Sequence, residues 1–449
     1  MAGGIWTSQN KKIPGVYINT KSKGNVSASI GEKGIVAICK PLSYGATGVI
    51  SEYIPGTDPT PIIGNDLTSE EALFLREMTK GSSQSNGPVK VLIYRPVGTG
   101  GVAASATIGD LAVTANYTGK RGNDITIVIA ANADGGYDVV TVVDGSAADT
   151  QNITDLDGLV ANAWVKFAGT GSTITTTAGT ALTGGVNPTI STSDYSAFLT
   201  ALEPYDFDIV CYDGTDATVR TAMKSFVVRV SDAIGKKCQV VMSGATSMDS
   251  ERVINVNNGV KLADGTELTA AQATYWVSGA EAGALYNQSL TYAVYPEAIE
   301  ANPKKTVSEI EAAVEAGDIV FIDDFGDTKV CTDINTFTSF SVDKGSEYSK
   351  NRVMRVLDQI CNDVYEYFSK YFIGKVNNND TGRNLMKGWI VKYLNEMQAN
   401  NGIQNFDAED VTVIQGSNLD SVLINIAIMP VNSVEKIYVQ ITVSVTEEE

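Results

Sequence analysis

The stretch STSDYSAFLTALEPYDFDIVCYDG (191–214) changes from one type of structure to another over a few residues. A helix is predicted to start near Ser193 or Asp194, because a small polar residue there precedes an apolar run at helical spacing. The segment DFDIVCY (206–212) follows as a short apolar run bounded by acidic residues, which favours a strand buried on both faces. A helix leading into a buried strand predicts an α/β core.

The same alternation extends in both directions along the chain. Residues 31–96 predict strand, helix and strand in that order, with the helix capped near Thr68 or Ser69. Towards the carboxy terminus, three further helices are predicted at 217–235, 269–286 and 306–317, and two strands at 236–243 and 317–325. The middle helix is rich in small residues and is therefore suited to close packing against its neighbours.

Residues 97–190 have a different composition. They are dominated by Thr, Ala, Gly and Val, and their only basic residues are Lys120, Arg121 and Lys166. Short alternating runs are separated by Gly- or Asp-rich turns, which predicts an all-β domain of sandwich or barrel type inserted into the α/β region. The predicted strands are LAVTANY (111–117), DITIVIA (124–130), YDVVTVV (137–143), WVKFAG (164–169) and STITTTA (172–178).

Both ends of the chain are predicted to be extended arms. Residues 1–30 are punctuated by Gly and Pro and contain a short strand, PGVYINT (14–20). The last strand, KIYVQITVSV (436–445), alternates apolar and polar residues without a break, and its apolar positions are Ile437, Val439, Ile441, Val443 and Val445. The predicted domains are therefore an arm (1–30), the first part of the core (31–96), the β insert (97–190), the main core (191–432) and a second arm (433–449).

Composition excludes several classes of function. A net charge of −19 disfavours sequence-independent nucleic-acid binding, which needs clustered Lys and Arg. Histidine is absent, so Ser-His-Asp catalysis and imidazole-based zinc sites are excluded. The five cysteines are widely spaced and contain no CxxC, which predicts isolated buried thiols in a reducing compartment. The longest apolar run, 422–431, is about half of a membrane span.

Candidate sites are few. Asp206, Asp208, Asp213 and Asp216 form the densest carboxylate cluster, which is interpreted as structural, with cation binding as the alternative. The DFG at 324–326 lacks the other kinase motifs and is interpreted as an acidic turn at the end of a strand. The long helix predicted at 346–372 begins among four basic residues, which form either a solvated face or a docking face for an acidic partner: Lys344, Lys350, Arg352 and Arg355.

An ordered set of motifs resembles the contractile tail sheath proteins of myophages and phage-tail-like particles. GGIWTSQNKKIPGVYIN (3–19) is similar to the family's amino-terminal arm, and LAVTANYTGKRGNDITIVI (111–129) with TALTGGVN (180–187) is similar to its inserted β domain. The resemblance continues in order through 271–298, INTFTSF (334–340), NRVMRVLDQICNDV (351–364), YFIGKVNNND (371–380) and IMPVNSVEKIYVQITVSV (428–445). In organisation the chain is most similar to compact sheaths of Gram-positive prophages and R-type, diffocin-like bacteriocins.

The resemblance implies a structural role without a cofactor. Subunits would polymerise as a helical sleeve of stacked sixfold rings around a tail tube, with baseplate and terminator or collar proteins as further partners, and without nucleic-acid contact or membrane insertion. The arm strands donated to neighbouring copies would contain Val16, Tyr17 and Ile18 at one end and the apolar residues of 436–445 at the other. Assembly in the bacterial cytoplasm and release in a virion or tail-like particle are implied as well.

Contraction on triggering at the baseplate would need hinges and a face towards the tube. The predicted hinges are Gly3, Gly4, Gly24 and Asn432, and the four basic residues at 344–355 are the predicted tube contact. The β insert is expected to face outward. Two alternatives stay open: a secreted β-rich surface or adhesion protein, and an α/β enzyme without histidine.

Overall fold

The computed structural model describes residues 3–4, 16–17 and 34–443. The chain divides into two compact units, Met1–Glu32 and Lys33–Glu449. In the first unit, the strand Gly3–Gly4 pairs in parallel with the strand Val16–Tyr17. All other described elements belong to the second unit.

A seven-stranded sheet forms the centre of the second unit. Neighbouring strands are parallel except at one edge, where Ile50–Tyr53 runs antiparallel to Lys90–Tyr94. The order across the sheet is Asp318–Ile319, Val253–Val256, Gln239–Ser243, Ile209–Tyr212, Ile35–Cys39, Lys90–Tyr94 and Ile50–Tyr53. Residues before and after the β insert therefore build one sheet, as predicted for a core assembled from both parts of the chain.

Helices cover both faces of this sheet, as expected for buried parallel strands. The helices Leu73–Thr79 and Ala270–Gly283 pack on one face around Trp276, and Thr192–Leu202 and Ala217–Arg229 pack on the other. Asp216 and Thr269 cap two of these helix starts by accepting backbone N–H groups, and Ser69 caps in the same way the 3-10 turn Glu70–Ala72 that precedes Leu73–Thr79.

The helix Ala270–Gly283 packs closely because its small residues allow it. A Cβ added at Gly279 would lie 1.7 Å from the carbonyl oxygen of Met78, and one added at Gly283 would lie 1.8 Å from that of Asn86. The composition of this helix therefore follows from backbone-to-backbone contact.

The β insert contains two antiparallel sheets around one apolar core. One sheet has the order Ser146–Ile153, Tyr137–Val143, Ile125–Ala131 and Thr177–Ala181, and the other the order Val165–Ala168, Leu111–Ala115 and Ser105–Ile108. Two sheets that share a core form a sandwich.

Smaller elements surround the central sheet. Gly259–Leu262 lies between Glu267–Leu268 and Ala298–Asn302, and Phe321–Asp324 forms a hairpin with Asp327–Val330. Two further helices are Thr60–Ile63 and Val307–Glu315.

The carboxy-terminal region is built on two long helices, Asn351–Tyr371 and Asp380–Ala399, which meet through stacked rings of Tyr367 and Trp389 with centroids 4.1 Å apart. Two small antiparallel sheets follow. Ile403–Gln404 pairs with Met429–Pro430, and Val411–Gln415 pairs with Val422–Ile426.

The predicted fold class, an α/β core with an inserted all-β domain, is confirmed. The single helix predicted at 346–372 is wrong at its start. A short 3-10 turn, Ser346–Ser349, is separated from the helix Asn351–Tyr371 by Lys350, whose extended backbone bridges to Ile334. The strands Ile50–Tyr53, Val253–Val256 and Ser146–Ile153 were not predicted, because their sequences show neither a long apolar run nor a clear alternation.

Candidate assembly site at the carboxy-terminal end

The sheet made by Val411–Gln415 and Val422–Ile426 has only two strands. Val411 pairs with Ile426 and Gln415 with Val422, and within the described residues neither outer edge of this sheet pairs with another strand. Val411 is buried, but most of the remaining side chains are half-buried or exposed. An open two-stranded sheet with apolar side chains exposes backbone groups that can pair with a further strand.

An apolar groove lies beside this sheet. Ile426 lines it from the sheet, and the second half of the helix Asn351–Tyr371 lines it from the other side. The remaining lining residues are Gly235, Ile360, Cys361, Val364, Tyr365, Phe368, Ser369 and Ile373. A strand seated in this groove would therefore contact Ile426 and cover an apolar surface next to the sheet.

The carboxy-terminal arm, residues 436–443, is the exposed counterpart of this groove. Ile437, Val439, Ile441 and Val443 are each between 77% and 83% exposed, and Tyr438, on the alternate face, is 90% exposed. No strand is assigned between residues 431 and 443. Both faces of the arm are thus uncovered in the single chain, although its alternation is that of a strand with one buried face.

The arm leaves the body at a fixed point, Glu435. Its carboxylate lies 2.5 Å from the Lys350 ammonium and accepts a hydrogen bond from the Thr291 hydroxyl at 3.4 Å. Thr291 Oγ1 in turn accepts the backbone N–H of Asp333. The anchor at Glu435 therefore lies beyond Asn432, the predicted hinge, and the first residue without such an anchor is Lys436.

Behind this anchor lies a buried ionic network. The guanidinium of Arg355 lies 2.6 Å from Asp333 and also pairs with Glu281, and Asn351 donates to Asp333 at 2.9 Å. Burial opposes ionisation of Asp333, but Arg355 and the donated hydrogen bonds hold the pKa of Asp333 below its usual value. Burial, and then the charge of Asp333, raise the pKa of Glu281. The network fixes the start of the long helix to the body.

The four predicted tube-contact residues do not form one exposed face. Arg355 is buried in the network just described, so placing it on an exposed face is wrong. Lys350 is engaged by Glu435, and Arg352 donates to the carbonyl of Asn401 at 3.3 Å. Lys344 is exposed and pairs with Glu251 at 2.5 Å. A partly exposed ion pair at Lys344 and internal anchoring of the other three account for the basic cluster.

The acidic cluster separates into four structural roles, as the structural interpretation predicted. Asp208 accepts the backbone N–H groups of Gly34 and Ile35, and Asp216 caps a helix. Asp206 pairs with Lys236 at 2.9 Å, and Asp213 pairs with Lys40 at 2.5 Å and accepts the Tyr275 hydroxyl. Within the described residues, no three His, Cys, Asp or Glu side chains are grouped as a metal site would require.

Other sequence predictions have mixed outcomes. Cys39, Cys211 and Cys238 are buried as predicted, but Cys331 is half-buried and Cys361 is exposed. The DFG lies in the turn of a hairpin, as expected, with Phe325 and Gly326 at positive φ. Gly3, Gly4, Val16 and Tyr17 are described as backbone strands only, and Ile18, Gly24 and Val445 lie outside the described residues.

Sequence reasoning missed the groove and the anchor. The groove is formed by residues far apart in the chain, such as Gly235 and Ile426, so no local pattern could indicate it. Glu435 carried a weak signal, since it is the only carboxylate between Asp420 and Glu447, immediately before the alternating strand.

Comparison with known proteins identifies the family to which this architecture belongs. Three family models match consecutive parts of the chain: the phage tail sheath protein beta-sandwich domain over 99–187, the central domain over 189–336 and the C-terminal domain over 343–444. The chain belongs to the phage tail sheath family. The two-stranded sheet, the exposed arm and all of the groove except Gly235 lie within the match to the sheath C-terminal domain.

Relatives of similar length support the assignment. The phage-like element PBSX protein XkdK of Bacillus subtilis is 32% identical over 99% of this chain and all of its own length. The crystal structure of the sheath tail protein from Desulfitobacterium hafniense is 43% identical, with a TM-score of 0.85 over 95% of this chain and 99% of that one. The helical sheath of the anti-feeding prophage in its contracted state, 14% identical, shares the fold with a TM-score of 0.55 over 96% of this chain and 99% of that one.

Family membership assigns the chain a structural role in a phage or phage-tail-like particle. None of the helices in the described part of the chain combines the length and apolar character of a membrane span.

Proposed function

We propose that this sheath protein polymerises into a helical sleeve by exchanging strands between copies. The carboxy-terminal arm of one copy would add to the outer edge of Val422–Ile426 in the next copy, with its apolar face in the groove. The observation that carries the proposal is the coexistence, in one chain, of an uncovered alternating strand and an open sheet edge beside an apolar groove.

The chemical complementarity between the arm and the groove supports the arm as the segment that fills the groove. The arm offers apolar side chains at every second position, and the groove is lined mainly by aliphatic and aromatic side chains. Pairing with a five-residue strand would form roughly five backbone hydrogen bonds, each contributing about 0.5–1.5 kcal/mol net. Burial of several Ile and Val side chains would add to this before the cost of ordering the arm.

The amino-terminal strand is proposed to act in the same way. Val16, Tyr17 and Ile18 would pair with a sheet in another copy, so that each subunit is joined to its neighbours at both ends. The β insert is proposed to face outward, and residues 31–96 and 191–432 to form the continuous wall of the sleeve.

Contraction is proposed to occur by reorientation of subunits that stay joined through their arms. The sleeve would surround a tail tube, start at a baseplate and end at a terminator or collar protein, and triggering would release an extended, metastable arrangement. Gly3, Gly4 and Gly24 would serve as hinges at the amino-terminal end. At the other end, the anchoring of Glu435 favours a hinge at Lys436 over the predicted one at Asn432.

Negative-stain microscopy of the full chain beside a chain ending at Glu435 tests the proposal. The full chain should form sleeves, and the truncated chain should stay monomeric with an unchanged circular dichroism spectrum, because the described part of the removed segment, residues 436–443, is exposed. A chain lacking 97–190 should still polymerise. Sleeves formed by the chain ending at Glu435 would contradict strand exchange through the carboxy-terminal arm.

A further inference from the structure

The root of the arm is fixed more firmly than strand donation alone requires. Met429–Pro430 pairs with Ile403–Gln404, the N–H of Val431 donates to Gly402, and Glu435 is then held by Lys350 and Thr291. The Glu435 and Lys350 side chains are 15% and 23% exposed, so this ion pair is largely shielded. It is referred to below as the latch.

Lys350 is itself held in place. Its backbone bridges to Ile334, and the next residue, Asn351, donates to Asp333 and to the carbonyl of Ile334. The position from which the arm departs is therefore tied to the buried Arg355 network.

The latch places the root of the arm far from the chain's own groove. Lys350 precedes the first residue of the helix Asn351–Tyr371, whereas Val364, in the middle of the groove, follows 14 positions later. At 1.5 Å per helical residue this separation is about 20 Å. An extended chain covers at most about 3.5 Å per residue, so reaching the groove from Glu435 takes about six residues.

With the latch closed, only the distal part of the arm can thus reach its own groove. Only the part from about Ile441 onward would arrive there, and Ile437 and Val439 would stay outside. Opening the latch moves the root back to Val431 and adds four residues, or about 14 Å of reach. The whole alternating run could then fold back onto the sheet of the same chain.

We infer that the Glu435–Lys350 latch selects addition of the arm to another copy over addition to its own sheet. The inference rests on the proposed strand exchange and concerns its specificity. Self-closure would be favoured by the high effective concentration of a tethered strand, so a sheath subunit without the latch would occupy its own acceptor edge and become a poor building block.

The exposed Cys361 thiol in the groove reports on self-closure. In monomeric samples, Glu435→Gln and Lys350→Gln should each slow alkylation of Cys361 several-fold relative to the unsubstituted chain, because the arm now covers the groove. Sleeve formation, followed by light scattering, should slow in the same variants. Lys344→Gln, which removes the ion pair of the exposed Lys344 with the more buried Glu251, is the matched control and should change neither rate.

Truncation separates the latch from the strand exchange itself. Glu435→Gln in a chain ending at residue 435 should regain fast alkylation, because no arm remains to cover the thiol. If both Gln variants are alkylated and assemble at the unchanged rates, the latch has no role in directing the arm. If they assemble more slowly but are alkylated at the unchanged rate, the arm does not fold back onto its own groove. Sleeves formed by the unsubstituted chain ending at Glu435 would instead overturn the proposed function.

Discussion

The strands Ile209–Tyr212 and Val422–Ile426 have similar sequences, IVCY and VLINI, but different surroundings. The first lies inside a seven-stranded sheet with helices on both faces, and all four of its residues are buried. The second lies in a two-stranded sheet, and none of its five residues is fully buried. One region is complete within a single chain, and the other leaves room for a strand that the chain exposes elsewhere.

This difference indicates how stability and assembly are divided in the molecule. The central sheet carries the free energy of folding, since its strands are already paired and covered. On the proposed strand exchange, the carboxy-terminal sheet and the arm would contribute free energy only when copies meet. Substitutions in the two regions should therefore affect different measurements.

The largest expected effect is on assembly. Val439→Asp combined with Ile441→Asp places two charges on the apolar face of the arm and should abolish sleeves in negative stain, because desolvating a carboxylate opposes its burial in the groove. The free energy of unfolding of the monomer should not change, because both side chains are exposed.

Gln440→Asp combined with Thr442→Asp, on the alternate face, adds the same charge and is the control. It should reduce assembly far less. Equal loss of sleeves in both double variants would show that charge, and not the apolar face, determines assembly.

The next largest effect concerns the buried network. Asp333→Asn leaves Arg355 without its firmest partner and should lower the free energy of unfolding by about 3–5 kcal/mol. Glu281→Gln should cost less, because the raised pKa of Glu281 already disfavours its charged form. Urea unfolding of the two variants compares them directly.

The direction in which the free energy of unfolding changes with pH follows from the lowered pKa of Asp333. Its stabilising contribution is present above the unfolded-state pKa and is lost as the pH falls through the lower folded-state pKa. The difference between the unsubstituted chain and Asp333→Asn should thus shrink below about pH 4. A difference that grew in acid would contradict the assigned charge of Asp333.

A smaller effect on stability is expected from substituting either of two glycines that lie within helices. Gly279→Ala places a Cβ 1.7 Å from the Met78 carbonyl oxygen and should destabilise the core by about 1–3 kcal/mol. Gly388→Ala, at a helix position with nothing within 4 Å of the added Cβ, should stabilise by up to about 1 kcal/mol. Urea midpoints that shift in the same direction would contradict the close approach of the two backbones.

The sequence predicted the core well and the carboxy-terminal site only in part. Runs such as IVCY and capped helix starts such as that at Ser69 are local signals, so the α/β core and its order were predictable. The arm was predictable from the alternation of Ile437, Val439 and Ile441. The groove proposed to accept it was not predictable, since Gly235, Val364 and Ile426 become neighbours only in the folded chain.

The basic cluster is a feature for which a local sequence pattern gave the wrong prediction. Lys350, Arg352 and Arg355 are close in sequence and suggested one surface, but helix geometry and the acidic partners at Glu281, Asp333 and Glu435 direct them to different places. The clustering of these charges in the sequence predicted neither the burial of the side chains nor their ion-pair partners, because both depend on residues from distant segments.

Crosslinking between two distinguishable copies tests the central claim most directly. One copy carries Ile441→Cys with Cys361→Ser and an affinity tag, and the other keeps Cys361 and its natural arm. Mixed before assembly and then oxidised, they should form a disulfide-linked pair of tagged and untagged chains, with far less product when Thr442→Cys replaces Ile441→Cys. Sleeves that form without any such pair would contradict the claim that the arm of one copy completes the sheet of another.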